Sequence, residues 1–71
     1  MEQIRFELKG EKFVAIRKDG KINVRKQRSA PGNYVVAGVY DPKEEIWQNG
    51  KCALSREIKE SIIMHLRPLI A

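Results

Sequence analysis

Apolar and polar residues alternate through Ile4, Phe6 and Leu8, again through Val14 and Ile16, and again through Ile22 and Val24. A period of two is the mark of strands with one buried face. Between the last two runs stands Asp19-Gly20, and Asp-Gly flanked by alternating hydrophobics signals a β-hairpin, because glycine takes the positive φ of a tight turn. The length of that turn decides the faces. A two-residue loop sets Lys18 opposite Lys21 and puts Val14 and Ile16 on the opposite face from Ile22 and Val24, so neither face is clean. A three-residue loop, Lys18-Asp19-Gly20, sets Arg17 opposite Lys21 and gathers all four aliphatics on one side. The second register is the expectation. It leaves a face of Phe13, Ala15, Arg17, Lys21, Asn23, Arg25 and Gln27, a basic strip with one aromatic ring in it. Gly10-Glu11 turns the first run into this hairpin, in a register that the residues do not fix.

Beyond Arg28, the loop-forming residues Ser29-Ala30-Pro31-Gly32-Asn33 break the pattern and suggest a phosphate-facing connection. Tyr34 to Tyr40 reads as a strand with Val35, Ala37 and Val39 on one side and Tyr34, Val36, Gly38 and Tyr40 on the other. Apolar groups on both sides predict an interior strand, or one covered by a second subunit. Asp41-Pro42 makes the next turn, Glu45 to Gln48 a short strand, and Lys51 to Leu54 the approach to a helix. Ser55 is a good N-cap, Glu57 suits the first turn, and Pro68 stops the helix near Leu66 or Arg67. Ile58, Ile62 and Leu66 form its core line. Ile63, Met64, Leu69 and Ile70 lie outside that line, and a homodimer contact through the C-terminal helix would use them. The whole reads as one α+β domain over residues 1–71: an antiparallel sheet of four to five strands within 3–54, followed by one C-terminal helix over about 55–67.

At 71 residues the chain sits near the lower size for a self-sufficient core, which also favours self-association. No apolar run approaches transmembrane length and the N-terminus lacks a signal-like apolar stretch, so a cytoplasmic protein without membrane contact is expected. The net charge of +5 is uneven. Residues 1–28 carry nine Lys/Arg against four Asp/Glu, whereas residues 29–71 carry five of each. A local basic field is the footprint of a polyanion binder, although the same lysines could blunt strand edges against aggregation.

Little else in the chain suggests chemistry. One histidine and one cysteine make no metal site, and no nucleotide-loop or metalloprotease pattern occurs. His65, at the edge of the helix's apolar line, reads as a structural or interface residue, and Cys52 as a small hydrophobe. Glu44 and Glu45, adjacent on a strand, point to opposite sides and form no catalytic pair. The expectation is therefore no catalytic residue, no cofactor and no enzyme. Phe13 and Trp47 each read two ways, as core cover or as a base-stacking platform.

Three stretches carry a family resemblance. Phe6 through Lys26, with its aromatic-aliphatic run, Gly-Lys turn and second run, looks like the paired early strands of the positive-cofactor-four-like transcriptional coactivators. Asp41-Pro42-Lys43-Glu44-Glu45-Ile46 resembles their Asp-Pro turn into the last strand, and Gly50-Lys51-Cys52-Ala53-Leu54-Ser55-Arg56-Glu57 their approach to the helix. Cys52 stands where that family has glycine, with Gly50 ahead of the lysine instead. The resemblance implies a homodimer that binds single-stranded DNA on basic strand faces and regulates transcription. Gly38-Val39, Pro42-Lys43-Glu44 and Arg56-Glu57-Ile58 are similar to the carbon storage regulator family of RNA-binding dimers, which has no counterpart to the hairpin from Ile46 to Leu54. The residues themselves nominate Arg5, Arg17, Lys21, Arg25 and Arg28 for phosphates and Phe13 and Trp47 for bases. RNA is a further candidate ligand. A protein-interaction module, such as a phage-derived inhibitor or regulator, that docks on an acidic protein partner is the alternative.

Overall fold

A computed structural model describes residues 2–28 and 32–70. Five strands, β1 (Glu2–Leu8), β2 (Glu11–Lys18), β3 (Lys21–Gln27), β4 (Tyr34–Asp41) and β5 (Ile46–Asn49), pair antiparallel in chain order. Two helices follow, α1 (Arg56–His65) and the single-turn α2 (Arg67–Ile70). The α+β class, with an antiparallel sheet followed by a C-terminal helix, is therefore as the sequence indicated, and β4 is an interior strand.

The register of the central hairpin is not the expected one. Lys18 pairs with Lys21, so the loop is Asp19-Gly20 alone, with φ of 53° and 77°. The first hairpin has the same form: Leu8 pairs with Glu11 across Lys9-Gly10, with φ of 49° and 80°. Left-handed geometry at both loop residues is that of a type I′ turn, whose twist matches the strands it joins. Paired residues share a face, so Ile4 and Phe6 line up with Ala15 and Phe13, and Ala15 and Arg17 with Val24 and Ile22. Val14, Ile16, Asn23 and Arg25 turn to the other side. The four aliphatics are thus split between the faces, the arrangement rejected for leaving neither face clean.

A bulge alters β4 as well. Val24 pairs with Gly38 but Arg25 with Val36, leaving Ala37 as the extra residue. Side-chain parity changes there, so Tyr34 and Val36 lie on the same face as Val39 rather than opposite it. Asp41 opens the β4–β5 loop by accepting the backbone N–H groups of Lys43 and Glu44 at 3.0 and 3.4 Å. After β5 the chain continues along β4, with Gly50 N–H bonded to the Ala37 carbonyl and Lys51 N–H to that of Val36, then runs irregularly to Ser55.

The Ser55 Oγ accepts from Ile58 N–H at 3.2 Å, capping α1 as its sequence implied. Pro68 ends α1, and the chain turns at Leu66 into α2, which brings Leu69 back against the sheet. One core forms between the helices and one sheet face, from Phe13, Ala15, Ile22, Val24, Ala37, Tyr40, Ile62, Leu66 and Leu69. Ile63 packs against it too, so Met64 and Ile70 are what remains of the apolar surplus at the C-terminus. Burying side chains such as Ile62 and Leu66 contributes about 1.5–3 kcal/mol each.

Candidate nucleic-acid interface

The helices cover one face of the sheet and leave the other open. On the open face Arg5, Val14, Arg25 and Val36 form one row across four strands, and Gln3, Ile16, Asn23, Val39 and Gln48 the next across five. Glu7 pairs with Lys12 and Gln27 with Tyr34 at one end, and Lys18 with Lys21 at the other. Val14 is only 6% exposed yet stands outside the core cluster. It is paired directly with Arg5 and Arg25, both exposed and both with aliphatic stems long enough to shield it while the charged heads reach water. The face is thus a floor of Val14, Ile16, Val36 and Val39 set with five cations, Arg5, Lys12, Lys18, Lys21 and Arg25, against the carboxylates of Glu7 and Asp41.

Of the nominated residues, Arg5, Lys21 and Arg25 share this face, whereas Arg28, exposed just beyond β3, lines a separate concavity with Glu11, Lys26 and Lys51. Three others do not. Phe13 is 3% exposed in the core, stacked on Phe6 at a ring-centroid distance of 5.4 Å, so it offers no face to a base. Arg17 lies on the helix side, where its Nη1 donates to the Leu69 carbonyl at 2.6 Å and fastens α2 to β2. Trp47 pairs with Tyr40 on that same side and packs half-buried against the core, its Nε1–H donating to Asn49 Oδ1 at 3.2 Å. For Phe13 and Arg17 the reason is the two-residue turn, which sets them on the opposite face from Lys21 and Arg25, while Trp47 takes the core-covering of its two readings. Ser29, Ala30 and Pro31 of the expected phosphate-facing loop lie outside the described residues.

Tyr34, discounted as a stacker because it flanks a strand whose pattern reads as buried, is the aromatic residue of the open face. It lines a shallow hollow of about 270 Å³ on the open face with Arg5, Glu7, Lys12 and Gln27. The X-Gly pair at both turns, each of which favours a two-residue loop, is the signal that places Lys12 and Lys18 on this face, whereas Tyr34 reaches it through the bulge at Ala37.

His65 stacks on Phe6 at 4.8 Å, and its Nδ1 lies 2.9 Å from the Ser61 carbonyl oxygen, which makes Nδ1 the donor. It belongs to the helix packing. The Tyr40 hydroxyl has its pKa raised, first by burial and then by the carboxylates of Glu45 and Asp41. No cluster of three or more His, Cys, Asp or Glu among the described residues could hold a metal, and no described helix is long and apolar enough to cross a membrane.

The class these features define is an α+β domain whose five-stranded antiparallel meander is covered on one face and open, basic and partly apolar on the other. No protein-family model, curated protein or solved structure matches the chain.

Proposed function

We propose that this is a small non-enzymatic nucleic-acid-binding protein that lays a single strand across the open face of its sheet and acts in transcription regulation. The observation that carries the proposal is the combination on one face of five cations, an aliphatic floor and the Tyr34 ring. Cations along the strands suit phosphates, while a flat apolar floor and a ring suit the faces of unpaired bases. A duplex hides those base faces, which favours the single strand. DNA is the ligand that the coactivator resemblance supports. A homodimer through the C-terminal helix belongs to the same proposal and is supported by Met64, 63% exposed, and Ile70.

The test is fluorescence anisotropy of a labelled single-stranded oligonucleotide at low and moderate salt, with the matching duplex alongside and light scattering for mass. Tighter binding of the single strand is expected. With Glu7 and Asp41 offsetting part of the positive charge, log K should fall against log salt with a slope of about −2 to −3.5. Tyr34→Ala should lose about 1–3 kcal/mol of binding at all salts. No binding of either ligand at low salt would remove the proposal. A second reading, a protein-interaction module that docks through the sheet edge, is favoured by Ile46, which is 49% exposed on the edge strand.

A further inference from the structure

A concavity lies at the other end of the strands from the Asp19-Gly20 turn. It measures about 610 Å³, and Lys12, Lys26, Arg28 and Lys51 line it together with Glu11 and Cys52. That volume falls in the range of small-ligand sites, but the lining is unlike an apolar pocket: four cations face one carboxylate. The carboxylate is already engaged. Glu11 Oε1 lies 2.8 Å from Lys26 Nζ, and this pair holds the half-buried Lys26 at the wall. Lys12, Arg28 and Lys51 form no ion pair among the described residues.

Three separate segments bring these charges together, which makes the cluster a product of the fold. Lys12 follows the first turn, Lys26 and Arg28 end β3, and Lys51 is fixed by its backbone bond to the Val36 carbonyl. Cations crowded round a concavity repel one another, and a compact multivalent anion would relieve that repulsion.

We infer that this concavity is a binding site for clustered phosphoryl groups, distinct from the open face. A single carboxylate ligand would leave much of the charge unmatched, whereas a triphosphate or a strand-terminal phosphate presents several oxyanions within the span of one pocket. The phosphoryl groups could come from a free polyphosphate or from the end of a nucleic-acid strand. The second source has a path, since Lys12 and Gln27 line both this concavity and the hollow beside Tyr34. The free-ligand arm stands whether or not a strand binds the open face.

Cys52 supplies the readout, because it is the only cysteine of the sequence and lines the site. Its alkylation by iodoacetamide is timed with inorganic tripolyphosphate, with a 5′-phosphorylated oligonucleotide, with its 5′-hydroxyl counterpart, and with sulfate at matched ionic strength. Tripolyphosphate at ten times its Kd should slow alkylation about tenfold, sulfate should slow it far less, and Lys51→Ala should abolish most of the protection. Lys51→Ala should leave anisotropy binding of the 5′-hydroxyl strand unchanged, since Lys51 is not on the open face. Protection by the 5′-phosphorylated strand and not by tripolyphosphate would assign the site to strand ends. Equal alkylation rates with and without tripolyphosphate and both oligonucleotides would overturn the inference. If the oligonucleotides nonetheless bind by anisotropy, the open-face proposal survives that failure.

Discussion

Arg17 and Arg25 looked equivalent on one basic strip, yet they stand on opposite faces, and a pair of substitutions separates their roles. Arg17 is half-buried and donates to the Leu69 carbonyl at 2.6 Å, the side-chain bond that ties α2 to the sheet. Hydrogen bonds with a charged partner contribute about 1.5–3 kcal/mol. Partial exposure discounts that, so Arg17→Ala should cost about 1–2 kcal/mol. In a domain of this size each kcal/mol lowers Tm by about 4–8 °C, which gives a fall of about 5–15 °C in thermal unfolding followed by circular dichroism. Arg25 is exposed and pairs with Val14 and Val36. Arg25→Gln keeps most of the stem available to shield Val14 and removes only the charge, so Tm should change by no more than about 0.5 kcal/mol in equivalent stability. The salt slope of single-strand binding should flatten by about 0.7, the contribution of one neutralised phosphate. Exchanged effects would contradict this placement of the two arginines. An Arg17→Ala protein with unchanged Tm and a flatter salt slope would place Arg17 on the binding face and refute the two-residue turn.

Further substitutions probe the packing. A Cβ added to Gly38 would fall inside the Trp47 indole and 2.8 Å from the Gln48 carbonyl oxygen, so Gly38→Ala should destabilise by about 1–3 kcal/mol in urea unfolding and red-shift Trp47 emission. Ser55→Ala removes the acceptor for Ile58 N–H and should cost about 1 kcal/mol, read as a lower urea midpoint. The raised pKa of Tyr40 gives a pH dependence of definite sign. The unfolded chain releases the phenolic proton near pH 10 while the folded chain still holds it, so stability is full below that pH. It then declines as pH rises toward the folded value, by up to about 1.4 kcal/mol per pH unit. Tyr40→Phe should lose that component of the decline in urea titrations compared at pH 8 and above 10.

The element order, both hairpins, the Ser55 cap and the core line of Ile58, Ile62 and Leu66 were legible because each rests on local chemistry: X-Gly turns, an oxygen at the N-cap, spacing by four. The parity of the faces was not, and parity decides which cations meet a ligand. The three-residue turn was preferred because it gathers the aliphatics on one side, a criterion suited to a sheet with one apolar face. Here β2 is interior and places Phe13 and Ala15 in the core while Val14 is buried on the opposite side. Both parities of such a strand look apolar, so the pattern itself carries no information about sidedness. The bulge at Ala37 is marked only by its neighbour Gly38, an isolated glycine in a strand, and that signal fits a close backbone approach, here by Trp47, as well as a bulge.

The same two-sidedness explains why charge and floor occur together on the open face. A chain of 71 residues with helices of ten and four residues can cover one sheet face only. The aromatic rings of Phe6, Phe13, Tyr40 and Trp47 all go to that covered face, with Gly38 making room for the indole. Aliphatics on the other side must be shielded by their neighbours, and long cationic side chains on adjacent strands, as Arg5 and Arg25 are to Val14, suit this at no cost in solubility. Arg5 and Arg25 therefore have a structural use on this face that is independent of any ligand. Lys12, exposed at the entrance to both the Tyr34 hollow and the larger concavity, flanks no buried aliphatic in its strand pairing with Glu7. Its position is harder to account for by packing, so among the open-face cations Lys12 is the one whose charge most directly supports a ligand.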